Sequence, residues 1–148
     1  MSAQHIAHLA RRFVTSLSNR EPGVADTAWA DSQLLESERV LWRRMSAPDR
    51  RHAISVARRF QSLDGSWIRD EMAGALLHDV GKVESGLGVL GRVVATIAGP
   101  RTERFRRYHD HERVGADMLA AAGSPTVTVD LVLGRGRAAA ALAEADNI

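Results

Sequence analysis

Apolar residues return every three or four positions along most of this chain, and that spacing constrains its fold more than any other feature. Ile6, Leu9, Phe13 and Leu17 form one such stripe, and Ile68, Met72, Leu76 and Val80 form another. A period near 3.6 lines one face of a helix, whereas a half-buried strand alternates at every second residue. Composition points the same way: 23 alanines favour helix, while seven aromatic residues and four prolines do little for a sheet. At 148 residues, 45% hydrophobic and 26% charged, the chain has the make-up of one globular domain. Wholesale disorder and fibrous repeats are excluded.

The absence of cysteine removes disulfide frameworks, thiol nucleophiles and Cys-based zinc sites together. Nineteen of the twenty basic residues are arginine, yet the formal net charge is only +2. A pervasive basic groove for nucleic acid is therefore not indicated. The single lysine, Lys82, stands out, because lysine and arginine differ at compact charged sites. Met1 to Leu17 lacks the apolar core of a signal peptide. The longest apolar stretch, Gly86 to Gly99, contains Arg92 and is too short to span a bilayer. The expectation is a cytoplasmic protein with no membrane partner.

The periodicity predicts an all-α chain. A first amphipathic helix carries Ile6, Leu9, Phe13 and Leu17, and Asn19 to Ala25 reads as a loop. A second helix covers Leu34 to Met45, with Leu34, Leu35, Val40, Leu41 and Met45 as candidate core. Ser46, three before Asp49 and followed by Pro48, is an N-cap signature for a third helix that runs to about Leu63. Trp67 to Val80 is a fourth, with Ile68, Met72, Leu76 and Val80 inward. Gly86 to Gly91 reads as a loop, Val89 to Ala98 as a short helix stopped by Gly99-Pro100, and Thr102 to Tyr108 as a turn. His111 to Ala122 is a further helix closed by Gly123 and Pro125. The tail divides into two short helices around Gly134-Arg135-Gly136. Trp29, Trp42 and Trp67 read as packing anchors rather than stacking platforms for bases.

Chemistry concentrates at His78-Asp79, which end the apolar turn Ala75-Leu-Leu-His-Asp-Val-Gly-Lys82. Neighbouring helical side chains diverge by about 100°, so both can reach one ion lying between their directions. A buried His-Asp pair costs several kcal/mol in desolvation unless something compensates it, and a divalent cation is one such partner. The plain alternative is a histidine at a helix C-terminus. His52 lies on the preceding helix, and Asp146 lies in the last, in Leu142-Ala-Glu-Ala-Asp146.

A histidine, a His-Asp pair and a final aspartate on three helices resemble the ligand order of the HD superfamily of metal-dependent phosphohydrolases. The matching segments are Arg51-His-Ala-Ile-Ser-Val-Ala57, Ala75 to Lys82 and Leu142 to Asp146. The resemblance implies a compact helical bundle over residues 46–148, with residues 1–45 as a helical extension packed on it. It implies His52, His78, Asp79 and Asp146 as metal ligands. Mixed imidazole and carboxylate ligation suits Mn, Fe, Co, Ni or Zn, and Mg stays open. Such a metal lowers the pKa of bound water and polarises a phosphoryl oxygen. Asp79 and Lys82 would be the catalytic residues, with Lys82 on the substrate phosphate.

His111-Glu-Arg-Val-Gly115 resembles the His-x-x-x-Gly element that supplies a ligand in two-metal members, and His109 stands two residues before it. Either could serve a second metal or the substrate, or merely cap the helix. Two-metal members carry a further histidine in the next helix, but Asp130 to Arg137 has none, and Asp130 reads as a surface residue. Arg104 and Arg107 belong to a basic cluster that would form an anion-steering rim or a solvated turn. Gly86 to Gly91 spells G-x-G-x-x-G but follows no strand, so a dinucleotide fold is not implied. His5 and His8 lack a third ligand nearby and read as a solvated face.

The leading expectation is a phosphohydrolase that cleaves a small phosphoester (mono-, di- or triester, a nucleotide among them) by attack of metal-bound water. The alternative is a non-catalytic or regulatory module binding nucleotide or metal. The oligomeric state is open, with a homodimer among the options.

Overall fold

The computed structural model describes residues 19–85 and 110–147, together with residues 3, 4, 6, 7, 9 and 11 of the N-terminal segment. The architecture is all-helical. Within residues 19–85 and 110–147, seven α-helices run in chain order: α1 (Val24–Gln33), α2 (Glu36–Arg44), α3 (Ala47–Ser62), α4 (Arg69–Leu77), α5 (His111–Ala121), α6 (Thr126–Val132) and α7 (Ala139–Asp146). A 3-10 segment, Val80–Ser85, follows α4. Among the described residues there is no strand.

α4 is the centre. Every residue from Glu71 to Leu77 is buried, so this helix shows no solvent face beyond its first turn. A helix that is apolar all round has to be surrounded. α3, α6 and α1 pack against it, α5 covers α6 and the 3-10 segment, and α7 lies on α3. Trp42, Phe60, Leu76, Leu77 and Leu119 are the largest fully buried apolar side chains. Trp67 stacks on Phe60 with ring centroids 4.6 Å apart and donates its indole N–H to the Phe60 carbonyl at 2.9 Å. That contact pins the turn between α3 and α4.

Local signals explain most helix ends. Ser46 Oγ accepts the Asp49 amide at 3.2 Å and starts α3. Gly134 and Gly136 have φ of +75° and +93°, a region that side chains with a Cβ disfavour, and they turn the chain between α6 and α7. Both tail helices therefore stand as the spacing predicts.

Several expectations need correction. α1 was not foreseen: Val24 to Gln33 is polar, and only Ala30 on it is fully buried, so it shows almost no apolar stripe. Leu35, Val40 and Ile68, expected in the core, are 40%, 56% and 49% exposed. Leu35 and Ile68 precede the first turn of α2 and α4 and lie at the helix entry. Val40 is two residues from both Glu38 and Trp42, about 200° around α2 from the buried face. α4 ends at Leu77, not Val80, and His78 and Asp79 sit in the turn that leads to the 3-10 segment. In the first stripe Ile6 and Leu9 are helical but exposed, at 55% and 41%; Phe13 and Leu17 lie outside the described residues. So do the loop, short helix and turn expected over residues 86–108. Residues before 46 contribute Ala30, Leu34, Leu41, Trp42 and Met45 to the same core as the later helices.

Two buried carboxylates take places where apolar residues would be expected. Glu38, fully buried, accepts the Leu35 amide at 2.8 Å, Arg69 at 2.9 Å and the Ser124 hydroxyl at 3.1 Å. Glu71, 4% exposed, accepts the Ile68 amide at 3.0 Å and a two-pronged contact from Arg137 at 2.8 Å on each oxygen. Each acid starts its own helix and ties it to a distant one. Breaking such a pair from the arginine side leaves a buried charge uncompensated. Arg69→Ala should therefore lower unfolding free energy by about 3 kcal/mol or more in urea denaturation. A change within ~0.5 kcal/mol, usual for surface substitutions, would show that water reaches Glu38.

Candidate metal centre

Three helices deliver the side chains that matter. His52 lies on α3, His78 caps the end of α4, and Asp146 is the last residue of α7. His52 Nε2 is 3.0 Å from Asp146 Oδ1, and His78 Nε2 is 3.6 Å from the same oxygen. One ligand atom from each of the three lies within 4.8 Å of the others, and the group can hold a metal ion. Ligands about 2.1 Å from a shared ion stand roughly 3–3.5 Å apart, so these separations suit one ion without rearrangement of the backbone.

His78 gives the clearest indication. Its Nδ1 lies 2.7 Å from the Ala75 carbonyl, which can only accept, so Nδ1 carries the proton. Nε2 is thereby left with its lone pair facing the group in the neutral ring. It is buried and makes no hydrogen bond of ordinary geometry among the described residues, with carboxylate oxygens of Asp79 and Asp146 at 3.5 Å and 3.6 Å. A histidine whose other nitrogen is fixed by a backbone carbonyl is the usual arrangement of a metal ligand.

Asp79, expected as the fourth ligand, occupies a neighbouring position. Its Oδ2 is 3.5 Å from His78 Nε2 and 2.7 Å from Lys82 Nζ, while Oδ1 is 3.2 Å from His111 Nε2. The structure thus brings His52, His78, Asp79, Asp146, Lys82 and His111 into one cluster. Lys82 is half-buried, and its ammonium rests on a carboxylate that is 5% exposed. Asp130 is half-buried and is not a member of the group. His109, Arg104 and Arg107 lie outside the described residues, as do His5, His8 and Gly86 to Gly91.

His111 reaches Asp79 because two backbones nearly touch. A Cβ on Gly81 would lie 1.9 Å from the His111 carbonyl oxygen and 2.7 Å from the Gly115 amide nitrogen. A Cβ on Gly115 would lie 3.0 Å from the Gly81 amide nitrogen. The first turn of α5 therefore lies directly against the 3-10 segment, and space requires a glycine at 81 and leaves little room at 115. The glycines of His-Asp-Val-Gly and His-Glu-Arg-Val-Gly were visible in the sequence, but their mutual contact was not.

The charges balance internally. Burial pushes His78 toward neutrality, but the carboxylates of Asp79 and Asp146 outweigh it and raise its pKa to about 9. Burial also opposes ionisation of Asp79, yet His78, Lys82 and His111 hold it well below the usual carboxylate range. Asp146 is likewise driven up by burial and held far down by His52 and His78. Without an ion, the His78 proton supplies positive charge that a divalent cation would otherwise bring.

A cavity of about 180 Å³ opens beside His78 and Asp146. Leu131, Val132 and Leu142 line it, with Glu112 and Asn147 as polar neighbours, so α5, α6 and α7 all border it. Glu112 and Leu142 lie in segments singled out in the sequence, but nothing in the spacing of the five shows that they border one cavity. No helix among the described residues is long and apolar enough to cross a membrane. Comparison with family models, curated proteins and solved structures gives no match to this chain.

Two measurements follow from this geometry. Gly81→Ala forces a side chain into backbone atoms that cannot turn aside, so it should destabilise by about 3 kcal/mol or more in thermal denaturation, at or beyond the upper end of ordinary overpacking. Gly23→Ala, whose added Cβ would meet nothing within 4 Å, is the matched control and should melt with the parent.

The second concerns pH. In the metal-free protein, the favourable contribution of His78 is complete below its ordinary value of 6.5 and is lost as pH rises through about 9. That of Asp79 and Asp146 is complete above 3.8 and is lost as pH falls. A cation bound here displaces the His78 proton, so uptake tightens as pH rises. The rise in Tm on adding Co²⁺ should accordingly be larger at pH 8.5 than at pH 6.5. An equal rise at both would mean that His78 is not a ligand.

Proposed function

We propose that this chain is a metal-dependent phosphohydrolase of the HD type, acting on a small phosphoester. The observation that carries the reading is the convergence of His78 Nε2, buried and oriented by the Ala75 carbonyl, with His52 and Asp146 from two other helices. The order of these residues along the chain is that of the family the sequence resembles. His52, His78 and Asp146 hold the ion, and Asp79, with an oxygen 3.5 Å from His78 Nε2, completes the set. The mixed imidazole and carboxylate donors suit Mn, Fe, Co, Ni or Zn, with Mg at the hard end of the range. A divalent ion held there supplies Lewis acidity for a phosphoryl oxygen and for the attacking water.

The chain's own residues supply the rest. Asp79 is ionised and orients what lies between it and His78. Lys82 extends from the next turn and offsets negative charge that develops on the phosphoryl oxygens. His111 steadies Asp79 from the opposite side. The cavity beside Asp146 accommodates the non-phosphate part of a small substrate. The enzyme so read works in the cytoplasm, with Arg104 and Arg107 steering the anion.

One observation favours a second reading. Asp79 already has Lys82 at 2.7 Å and His111 at 3.2 Å, a fully compensated carboxylate that suits a regulatory module binding an ion or nucleotide without turnover.

A single assay series separates the two readings. The protein loaded in turn with Mn²⁺, Co²⁺, Ni²⁺, Zn²⁺ and Mg²⁺ is offered p-nitrophenyl phosphate and bis(p-nitrophenyl) phosphate. Turnover that vanishes with chelator and returns with metal supports the enzyme. Asp146→Ala should lose metal and turnover together. Lys82→Ala should keep the metal but lose about 10²-fold or more in rate, the scale of one charged transition-state contact. It should also melt several degrees lower, because buried Asp79 loses its cation. Lys82→Arg should restore only part of the rate, since a planar fork does not replace a compact ammonium. Metal binding with no cleavage of either ester would establish the binding module instead.

A further inference from the structure

Asp146 is the most exposed to misplacement of the three metal-facing residues. It ends an eight-residue helix, Ala-Ala-Ala-Leu-Ala-Glu-Ala-Asp, whose buried side chains are only Leu142 and Ala145. Two glycines with positive φ precede that helix. Alanines grip weakly, so hydrophobic contact alone does not set the rotation and depth of α7. Two guanidinium groups do. Arg137 fastens the start of α7 by its contacts with Glu71 and with the Ser66 carbonyl at 2.8 Å. Arg59 fastens the end: its Nε donates to the Ala145 carbonyl at 2.7 Å.

We propose that Arg59 is a positioning residue for Asp146, setting the direction of its carboxylate toward His52 and His78. The Ala145 carbonyl and the Asp146 nitrogen belong to one rigid peptide plane, so a bond to the first fixes the orientation of the second. His52 and Arg59 are seven residues apart on α3, two turns along one face. The same face of α3 thus holds Asp146 twice, through its carboxylate at 3.0 Å and through its peptide plane. Ser55 stands between them and accepts Arg59 Nη1 at 3.0 Å, which keeps the guanidinium from swinging away. The Ala145 carbonyl lies in the last turn of α7, where carbonyls lack partners within the helix and favour a cation. Partners outside the immediate ligand set commonly change metal affinity by 10- to 100-fold.

The metal arm of the test rests on the proposed metal centre, and a second arm does not. Co²⁺ affinity is measured by calorimetry for the parent, Arg59→Ala, Arg59→Lys and Arg137→Ala. The visible spectrum of bound Co²⁺ and the metal-free Tm are recorded alongside. In the metal-free proteins, the ring nitrogens of His52 are followed by NMR, because they report the contact with Asp146 directly. Arg59→Ala should bind Co²⁺ at least tenfold more weakly, alter the cobalt band and shift the His52 nitrogens, at a Tm lowered less than that of Arg137→Ala, which strands the buried Glu71. Arg59→Lys should recover part of the affinity. If Arg59→Ala does not fold, Ser55→Ala should show the same changes at smaller size. Parent affinity and unchanged His52 signals in Arg59→Ala would overturn the proposal, as would an equal loss in Arg137→Ala, which would assign the effect to helix docking in general. A parent that takes up no Co²⁺ would remove the metal centre, and the His52 signals would then decide the role of Arg59 alone.

Discussion

Two carboxylates and an imidazole share one buried region, and the rest of this structure is arranged so that they can. Asp79 and Asp146 repel one another and lose hydration on burial. They are tolerable because His78 stands between them, Lys82 and His111 face Asp79, and His52 faces Asp146. These partners come from three stretches of chain: His52 from α3, His78 and Lys82 from the end of α4 and the segment after it, and His111 from α5. The folded topology is therefore also a charge-compensation scheme, and the protonated His78 and a divalent cation are alternative ways of completing it.

The scaffold uses the same device elsewhere for a different end. Short helices with modest apolar faces do not by themselves define how they dock. Glu38 and Glu71 solve this by capping their own helices and accepting arginines from elsewhere in the chain. Buried ion pairs of this kind contribute little net stability compared with apolar packing, but they penalise wrong arrangements heavily. Alanine-rich α7 is held at its start by the Arg137–Glu71 pair and at its end by the Arg59 hydrogen bond to the Ala145 carbonyl.

Close backbone approach is the third element. Gly81 and Gly115 let the first turn of α5 meet the 3-10 segment without side chains between them. His111 then falls on Asp79. A methyl group at Gly81 would separate the surfaces and displace that histidine, so packing and site geometry are one constraint here.

Much was legible in the sequence. Periodicity established an all-helical chain, Ser46 the start of α3, and the glycines of the tail the break between α6 and α7, because each of these depends on local backbone preferences. The order His52, His78-Asp79, Asp146 marked the candidate ligands for the same reason that a motif can: spacing survives in one dimension. What the sequence could not show is what depends on meeting across the fold. α1 lacked an apolar stripe, and Val40 and Ile68 looked buried only until the actual packing face was known. Arg59 looked like one of nineteen arginines until α7 folded back on α3. Residue type and spacing determine which local structures are possible, whereas distances between elements are decided by the core, and the chemistry of this site depends on those distances.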